Sequence, residues 1–421
     1  MPKIVFVNRF FFPDLSATSQ MLTDLAFSLA ARELEIHVIT GSQAYDDSTR
    51  TFPSFEVVQN VEIRRIATSR FGRARLFGRL FDYATFYIGA AWELFRVVRP
   101  GDIIVAKTDP PMISVVAAIV ARWRGAVLIN WIQDLFPEVA EALGVMTSRV
   151  IGMVLRRLRN NSLTGARCNV AIGAGMAARL LEEGIPEDRI HIIHNWSDGE
   201  EIRPIDRSAN ILVEQWDLEG KFVVGYSGNM GRAHEFTTLL EAAERLSANP
   251  DIVFLLIGDG AQRSSILRFA EQRGLKNIVL KPYQPREFLR LSLGVPHVHV
   301  VSLLPSLEGL IVPSKFYGIA AAGRPAMYIG DSGGEIPRIL KESDCGYTIS
   351  IGDSCGLADV ILDMMREPAL VTRLGMQARA VFERRFSKNH ALLAWEQLLT
   401  RTAANRQASL PSEPSEVLSR R

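Results

Sequence analysis

Along this chain, short apolar runs alternate with longer segments whose apolar residues recur every three or four positions. The runs are rich in Ile, Val and Leu and are bounded by Gly, Pro, Asn or Asp. That is how strands buried on both faces of a parallel sheet read. In the first half they fall at residues 3–8 (KIVFVN), 36–40 (IHVIT), 61–66, 102–106 (DIIVA), 127–131, 169–172 and 190–193. Helical spacing follows the first of them, with Met21, Leu22, Leu25, Ala26, Leu29 and Ala30 behind a Thr18 or Ser19 cap. It returns at 114–123, 149–163 and 173–184, the second of these with Val150, Met153, Val154 and Leu158 as its apolar positions. A second series opens at Lys221. Its strands are expected at 222–226, 252–258, 277–281, 298–305, 326–329 and 346–351. Its helices are expected at 235–246, 264–273, 287–293, 357–365, 371–386 and 389–400. Strand–helix alternation repeated twice predicts an α/β chain with two doubly wound, Rossmann-like domains.

Length agrees, because 421 residues exceed one ordinary core. The expected division is residues 1–200, 201–386, a terminal helix at 387–404 crossing back to the first domain, and a tail at 405–421. That tail turns to Ser, Pro, Glu and Arg and reads as disordered. A net charge of +2 is too small for a polyanion binder acting by bulk charge. Cys168, Cys345 and Cys355 are scattered, without paired metal spacing, which fits a reducing cytoplasm and argues against structural zinc. Met1-Pro2-Lys3 runs straight into a strand, so no signal peptide is expected. The most apolar window, 112–121, is too short to span a bilayer, so the expectation is a soluble or peripheral protein.

The chemistry concentrates in Glu308 to Pro325, EGLIVPSKFYGIAAAGRP, between two expected strands. Pro313 suits the first turn of a helix, and Ser314 and Lys315 follow in that turn. A hydroxyl and a cation there join free backbone N–H groups, a natural seat for a phosphate or diphosphate. Glu308 and Gly309 just upstream suit a polyol, since hydroxyls need acceptors and a residue without Cβ admits a close ligand. The competing reading is a structural helix with a solvated lysine. The second domain's first strand ends in Ser227-Gly228-Asn229-Met230-Gly231-Arg232, a glycine-bearing turn before a helix. Arg232 offers a guanidinium fork for phosphate oxygens.

These two stretches resemble the donor-binding region of the family 4 retaining glycosyltransferases, which have the two-domain GT-B architecture. The VPSK helix start and AAG-x-P ending resemble a bacterial branch of WbuB- and WcaI-type sugar transferases of surface-polysaccharide assembly. The resemblance runs from about Lys3 to Trp395. It implies two domains facing across a cleft, with Gly228, Asn229, Gly231, Arg232, Gly309, Leu310, Ser314 and Lys315 holding a nucleotide-diphosphate sugar and Glu308 its hydroxyls. Arg232, Lys315 and Glu308 carry the catalytic roles. Tyr283 in the Tyr283-Gln284-Pro285 turn would meet the base. Three departures stand out. The glutamate that holds the ribose in many members is Gly318 here, so Glu335 in GDSGGEIP is the ribose candidate; a common lysine is His234; and the first loop, Asp14 to Thr18, lacks the usual glycines.

Asp14, Asp109, Asp134 and Glu138 lie just past expected strands of the first half, where open α/β sheets bind ligands. The DLFPE of residues 134–138 resembles a D-L-x-P-E turn of the same branch. Asp134 and Glu138 are each also readable as a helix cap or surface charge, and His194 reads more simply as a hydrogen-bonded structural histidine. The run Arg70 to Tyr87 mixes Arg70, Arg73, Arg75 and Arg79 with Phe71, Leu76, Phe77, Leu80 and Phe81. It reads either as a core helix with a solvated edge or as an interfacial helix on an anionic membrane surface. No nucleic-acid motif accompanies it.

The implied reaction moves a sugar from a nucleotide-diphosphate sugar to a hydroxyl acceptor such as a lipid-linked glycan, with retention and with no metal or other cofactor. No Asp-x-Asp signature is present. The place is the cytoplasm or the inner face of its membrane. Two alternatives stay open: a nucleotide-sugar 2-epimerase on the same scaffold, and a non-catalytic nucleotide-sugar-binding assembly subunit.

Overall fold

The computed structural model describes residues 2–14, 16–44, 50–69 and 76–407. Arg70, Phe71, Arg73 and Arg75 of the basic run, and the tail beyond 407, lie outside the described residues. The first sheet contains β1 (Ile4–Val7), β2 (Ile36–Gly41), β3 (Phe55–Val58), β4 (Val61–Ile66), β5 (Ile103–Lys107), β6 (Val127–Trp131), β7 (Cys168–Ala171) and β8 (Ile190–Ile192). Its order is β3-β4-β2-β1-β5-β6-β7-β8. Pairings from β4 through β7 are parallel. The second sheet contains β9 (Phe222–Ser227), β10 (Ile252–Ile257), β11 (Ile278–Lys281), β12 (Val298–Ser302), β13 (Ala326–Ile329) and β14 (Gly346–Ile349). Its order is β11-β10-β9-β12-β13-β14, parallel throughout. Both are doubly wound, as the alternation predicts. Strands β1, β2, β10, β12 and β13 are buried at every position, which is why they read as continuous apolar runs rather than alternating ones.

The strand the sequence pattern misses is β3. It pairs antiparallel with β4 at the sheet edge, and its side chains alternate between exposed and half-buried, so no apolar run marks it. Contacts divide the chain into two compact units. One comprises residues 1–131, 158–170 and 392–421; the other comprises 132–157 and 171–391. In the first, Trp395 of the Lys388–Gln407 helix packs on Trp131, ring centroids 4.7 Å apart. In the second, Phe254, Val300, Met327 and Ile329 form the core with Leu239 and Ala243 of the Thr237–Arg245 helix and Ile361 of the Ser354–Arg366 helix.

Helical periodicity shows which residues share a face but not whether that face is covered. In the Arg149–Gly165 helix, Val150, Met153, Val154 and Leu158 are exposed. In the Leu76–Val97 helix, Phe86, Ala90 and Leu94 go into the core with Ile113, Ala117 and Val120. Leu80, Phe81, Ile88 and Trp92 point outward.

Candidate active site

The order of the second sheet reverses between β9 and β12, which are neighbours although far apart in sequence. Chain leaving their carboxyl ends opens a crevice at such a switch point, where α/β sheets take ligands. Residues 228–234 follow β9 and residues 303–314 follow β12. The two segments are joined by Leu304 N–H donating to Ala233 O at 3.0 Å.

Lys315 opens the Lys315–Ala321 helix, with Ser314 as its N-cap and Pro313 outside it. Its ammonium reaches back across the crevice. It lies 2.7 Å from His234 Nε2, donates to Asn229 O at 3.3 Å and sits over the Tyr226 ring, 4.7 Å from the centroid. His234 Nδ1 is 2.6 Å from Ser302 O. A carbonyl can only accept, so Nδ1 carries the proton and Nε2 accepts from Lys315. Burial first, then the lysine charge, pushes the imidazole down to about 4, so it stays neutral near pH 7. Burial also brings the Lys315 ammonium down to about 7. Every group that holds it is neutral.

The turn that receives this lysine is tightly made. Gly228 has φ +129°, and a Cβ there would lie 2.7 Å from Lys315 Cε. Gly258 and Gly260 have φ +133° and +149°, and a Cβ on either would strike Gly228 O or Asn229 Oδ1. Tyr226 OH donates to Asn229 O at 2.7 Å. Gln262 Nε2 donates to both Gly231 O and His234 O at 2.7 Å, pinning the loop from the next crossover. Gln262, Gly258 and Gly260 escaped the sequence reading; the Gly-Asp-Gly at the end of β10 was the available signal. Arg232 is exposed in this same loop, between Asn229 and His234, both of which hold Lys315. Tyr283 is exposed and donates to Asp259 O at 3.4 Å, beside the loop that packs on Gly228.

Glu308 lies in a second cluster. Its carboxylate accepts from Tyr328 OH, and burial lifts its pKa above the usual range while that bond opposes the rise. Its carboxylate fills the space a Cβ on Gly334 would take, at 2.5 Å. Gly309 has φ +75°, and a Cβ there would lie 3.1 Å from Arg179 Cγ and 3.2 Å from Gly175 O. Leu310 is buried, and its carbonyl accepts from Leu135 N–H at 3.0 Å.

Glu335 is already engaged by the protein. Its Oε2 accepts from the N–H groups of Ala174 (2.9 Å) and Gly175 (3.3 Å) at the start of the Ala174–Glu182 helix. Its Oε1 accepts from Arg338 at 2.7 Å. A role at the ribose would compete with those donors. His194 Nδ1 is 3.1 Å from Ile172 O and 3.8 Å from Glu335, and burial lowers its pKa, as the structural reading expects.

Among the remaining acids, Asp14 is buried and caps its own turn through Ser16 N–H at 2.8 Å. Asp109 O accepts from Arg9 N–H at 2.6 Å, which brings the loops after β1 and β5 together. Those strands flank the switch point of the first sheet. Asp134 is exposed. Glu138 is bonded to Arg156 Nε at 2.8 Å, and the same guanidinium holds Glu141. The described residues contain no cluster of His, Cys, Asp or Glu suited to a metal ion.

Two doubly wound parallel sheets, with a cation and a glycine turn at the switch point of the second, define a Rossmann-like α/β scaffold. Comparison with known proteins narrows the class. Residues 17–196 match the family described as "Glycosyl transferase 4-like domain", and residues 210–381 match "Glycosyl transferases group 1". The chain is 29% identical over 298 residues to a probable glycosyltransferase, WbjE, of Pseudomonas aeruginosa, covering 70% of this chain and 74% of that one. It is 24% identical over 408 residues to a putative colanic acid biosynthesis glycosyl transferase, WcaI, of Escherichia coli, covering 93% and 98%. Its fold matches that of Anabaena Alr3699/HepE, solved in complex with UDP, with a TM-score of 0.72 at 14% identity, over 95% of this chain and 100% of that one. This chain belongs to the family 4-like glycosyltransferases of the GT-B fold, and it is an enzyme.

Proposed function

We propose that this glycosyltransferase moves a sugar from a nucleoside-diphosphate sugar to a hydroxyl of a lipid-linked glycan in bacterial surface-polysaccharide synthesis. One observation carries the reading: the Lys315 ammonium is held at the sheet's switch point by His234, Asn229 and Tyr226, all neutral, so its charge is open to an anion. A diphosphate suits that place. Gly228, Asn229, Gly231 and Ser314 would supply close backbone, and Arg232 a second cation. As the bond from the sugar to the diphosphate breaks, negative charge grows on the leaving oxygen, and Lys315 and Arg232 stabilise it there. A well-aimed donor is worth about 3 kcal/mol in such sites. Two protein cations at the diphosphate are the basis for proposing metal-independent transfer with no cofactor. Glu308, Gly309 and Leu310 hold the sugar, Tyr283 the base and Glu335 the ribose. The last requires Glu335 to exchange Arg338 or its helix N–H partners for a hydroxyl.

Transfer is proposed to retain configuration. The acceptor oxygen bonds to the sugar carbon on the face the diphosphate leaves, and its proton passes to the departing phosphate oxygen. Asp14, Asp109, Asp134 and Glu138 are assigned to the acceptor. The acceptor's lipid and an anionic membrane fit the outward faces of two packed helices. Leu76–Val97 exposes Phe81, Ile88 and Trp92, and Ile113–Arg124 exposes Ile119 and Trp123. Arg96, Arg122 and Arg124 stand in their last turns. Exposed tryptophans beside arginines suit the headgroup layer. No described helix is long and apolar enough to cross a membrane, so the proposed place is peripheral, on the inner face of the cytoplasmic membrane.

A panel of nucleotide sugars, assayed with and without lipid-linked acceptor, tests the reaction. Acceptor-dependent release of nucleoside diphosphate, lost in Lys315→Ala, is expected. An epimerised donor without acceptor would replace this reading with a 2-epimerase, and binding without turnover would leave only a carrier role. Vesicles with anionic lipid should sediment the wild type at low salt, and Trp92→Ser with Trp123→Ser should release it. Equal sedimentation of both proteins would refute the membrane face.

A further inference from the structure

The crevice at Lys315 lies at the carboxyl ends of β9 and β12. The opposite, amino-terminal edge of the same sheet carries a separate open pocket of about 740 Å³. Lys221 and Phe222 at the start of β9, His297 before β12 and Arg324 before β13 line it, together with Arg207 from the segment that precedes β9. Met364, Met365 and Val371 give it an apolar wall.

The charges here are unbalanced. Arg207 donates through Nε to Val295 O (3.0 Å) and through Nη2 to Leu218 O (2.7 Å). Arg324 donates through Nη2 to Ile205 O (3.0 Å) and Gly294 O (2.7 Å), while its Nε is buried without a partner. These bonds go to carbonyls, and among the described residues neither guanidinium is in an ion pair. Burial lowers the pKa of both, and the charge of Arg207 lowers that of Arg324 further; Glu219 at Arg207 and Asp206 at Arg324 offset this only in part. The other two cations are matched, Lys221 by Asp251 and Arg379 by Glu383. His297 stacks on Phe222 with ring centroids 4.7 Å apart, and its Nδ1 accepts from Val223 N–H at 3.0 Å. The proton therefore sits on Nε2, and burial with the two arginines pushes the ring down to about 3, leaving a neutral donor.

Two partly buried like charges without a carboxylate are costly unless an anion joins them. We propose that this pocket is a second ligand site, which binds a phosphate monoester through Arg207, Arg324 and His297 and lays its apolar body against Met364, Met365 and Val371. Phosphate fits better than carboxylate. It presents three acceptor oxygens and nearly two charges to two guanidiniums and an imidazole N–H. The site does not use Lys315 and does not depend on the transfer reaction proposed above.

Calorimetric titration of the full chain with 1-naphthyl phosphate tests it. One site per chain is expected, kept in Lys315→Ala, with Kd raised about tenfold or more in Arg207→Gln, the loss of one charge-assisted contact. Arg207 also holds two carbonyls, so a second variant separates lost binding from lost folding. Thr372 lines the pocket and bonds only Pro368 O within its own helix. Thr372→Glu supplies the missing carboxylate from inside, so it should raise Tm in phosphate-free buffer and weaken the ligand by a similar factor. Absence of binding, binding abolished by Lys315→Ala, or unchanged affinity in both pocket variants would overturn the proposal.

Discussion

A lysine whose pKa has fallen to about 7 is half-protonated in the empty site at pH 7, and a diphosphate beside it restores the proton. Binding must then take up a proton. With a pKa of about 7, uptake is roughly half a proton per chain at pH 7 and about 0.9 at pH 8. The sign follows from the complex having the higher pKa. Affinity is at its full value below about pH 7 and falls as pH rises through and above it, toward the pKa of the complex. Between pH 6 and pH 8 the loss is about tenfold, or roughly 1.4 kcal/mol. The other titratable groups facing the ammonium stay neutral over this range. His234 sits at about 4, and burial moves the Tyr226 hydroxyl well above its ordinary value. A nucleotide sugar is the right ligand, because its diphosphate keeps both charges across this window. Calorimetry in two buffers of different ionisation enthalpy measures the uptake, and Lys315→Ala should abolish it. A flat affinity profile from pH 6 to 8, or the same profile in Lys315→Ala, would refute the assignment of that charge to Lys315.

The same depressed pKa means the unfolded chain holds a proton that the folded chain sheds, so the lysine's destabilising effect is greatest below about pH 7 and fades as pH rises toward 10.5. Lys315→Met should therefore raise Tm near neutral pH while losing nucleotide binding, measured by thermal melts at pH 6 and 9; a lower Tm would contradict this. Gly228→Ala places a Cβ at φ +129° and 2.7 Å from Lys315 Cε. It should cost about 1–3 kcal/mol and weaken nucleotide binding together, which denaturant melts and titration would show. Glu308→Gln keeps an acceptor for Tyr328 but removes the carboxylate. Turnover should fall on the order of a hundredfold with nucleoside-diphosphate affinity unchanged, and a matched loss of both would move Glu308 to the diphosphate.

Every strand but β3 could be read from the residue order alone, because strands buried on both faces are apolar at most positions, whereas β3 at the sheet edge is not buried on either face. The stretch from Glu308 to Lys315 and the turn at Gly228 were legible too, since glycine, proline and a cation at a helix start have local physical meanings. Relations across the chain were not. His234 appeared in the sequence only as a residue standing where a lysine is common; its bonds to Ser302 and Lys315 join residues 68 and 81 positions apart. Glu335 reads as a free acid until the start of the Ala174–Glu182 helix, 161 residues away, is brought to it. Periodicity grouped Leu80 with Phe81 and Val150 with Val154, yet whether anything covers such a face depends on what the rest of the fold lays against it. Local pattern determines elements, because backbone geometry repeats every two or 3.6 residues. Charge, tautomer and exposure depend on neighbours that only the folded chain supplies.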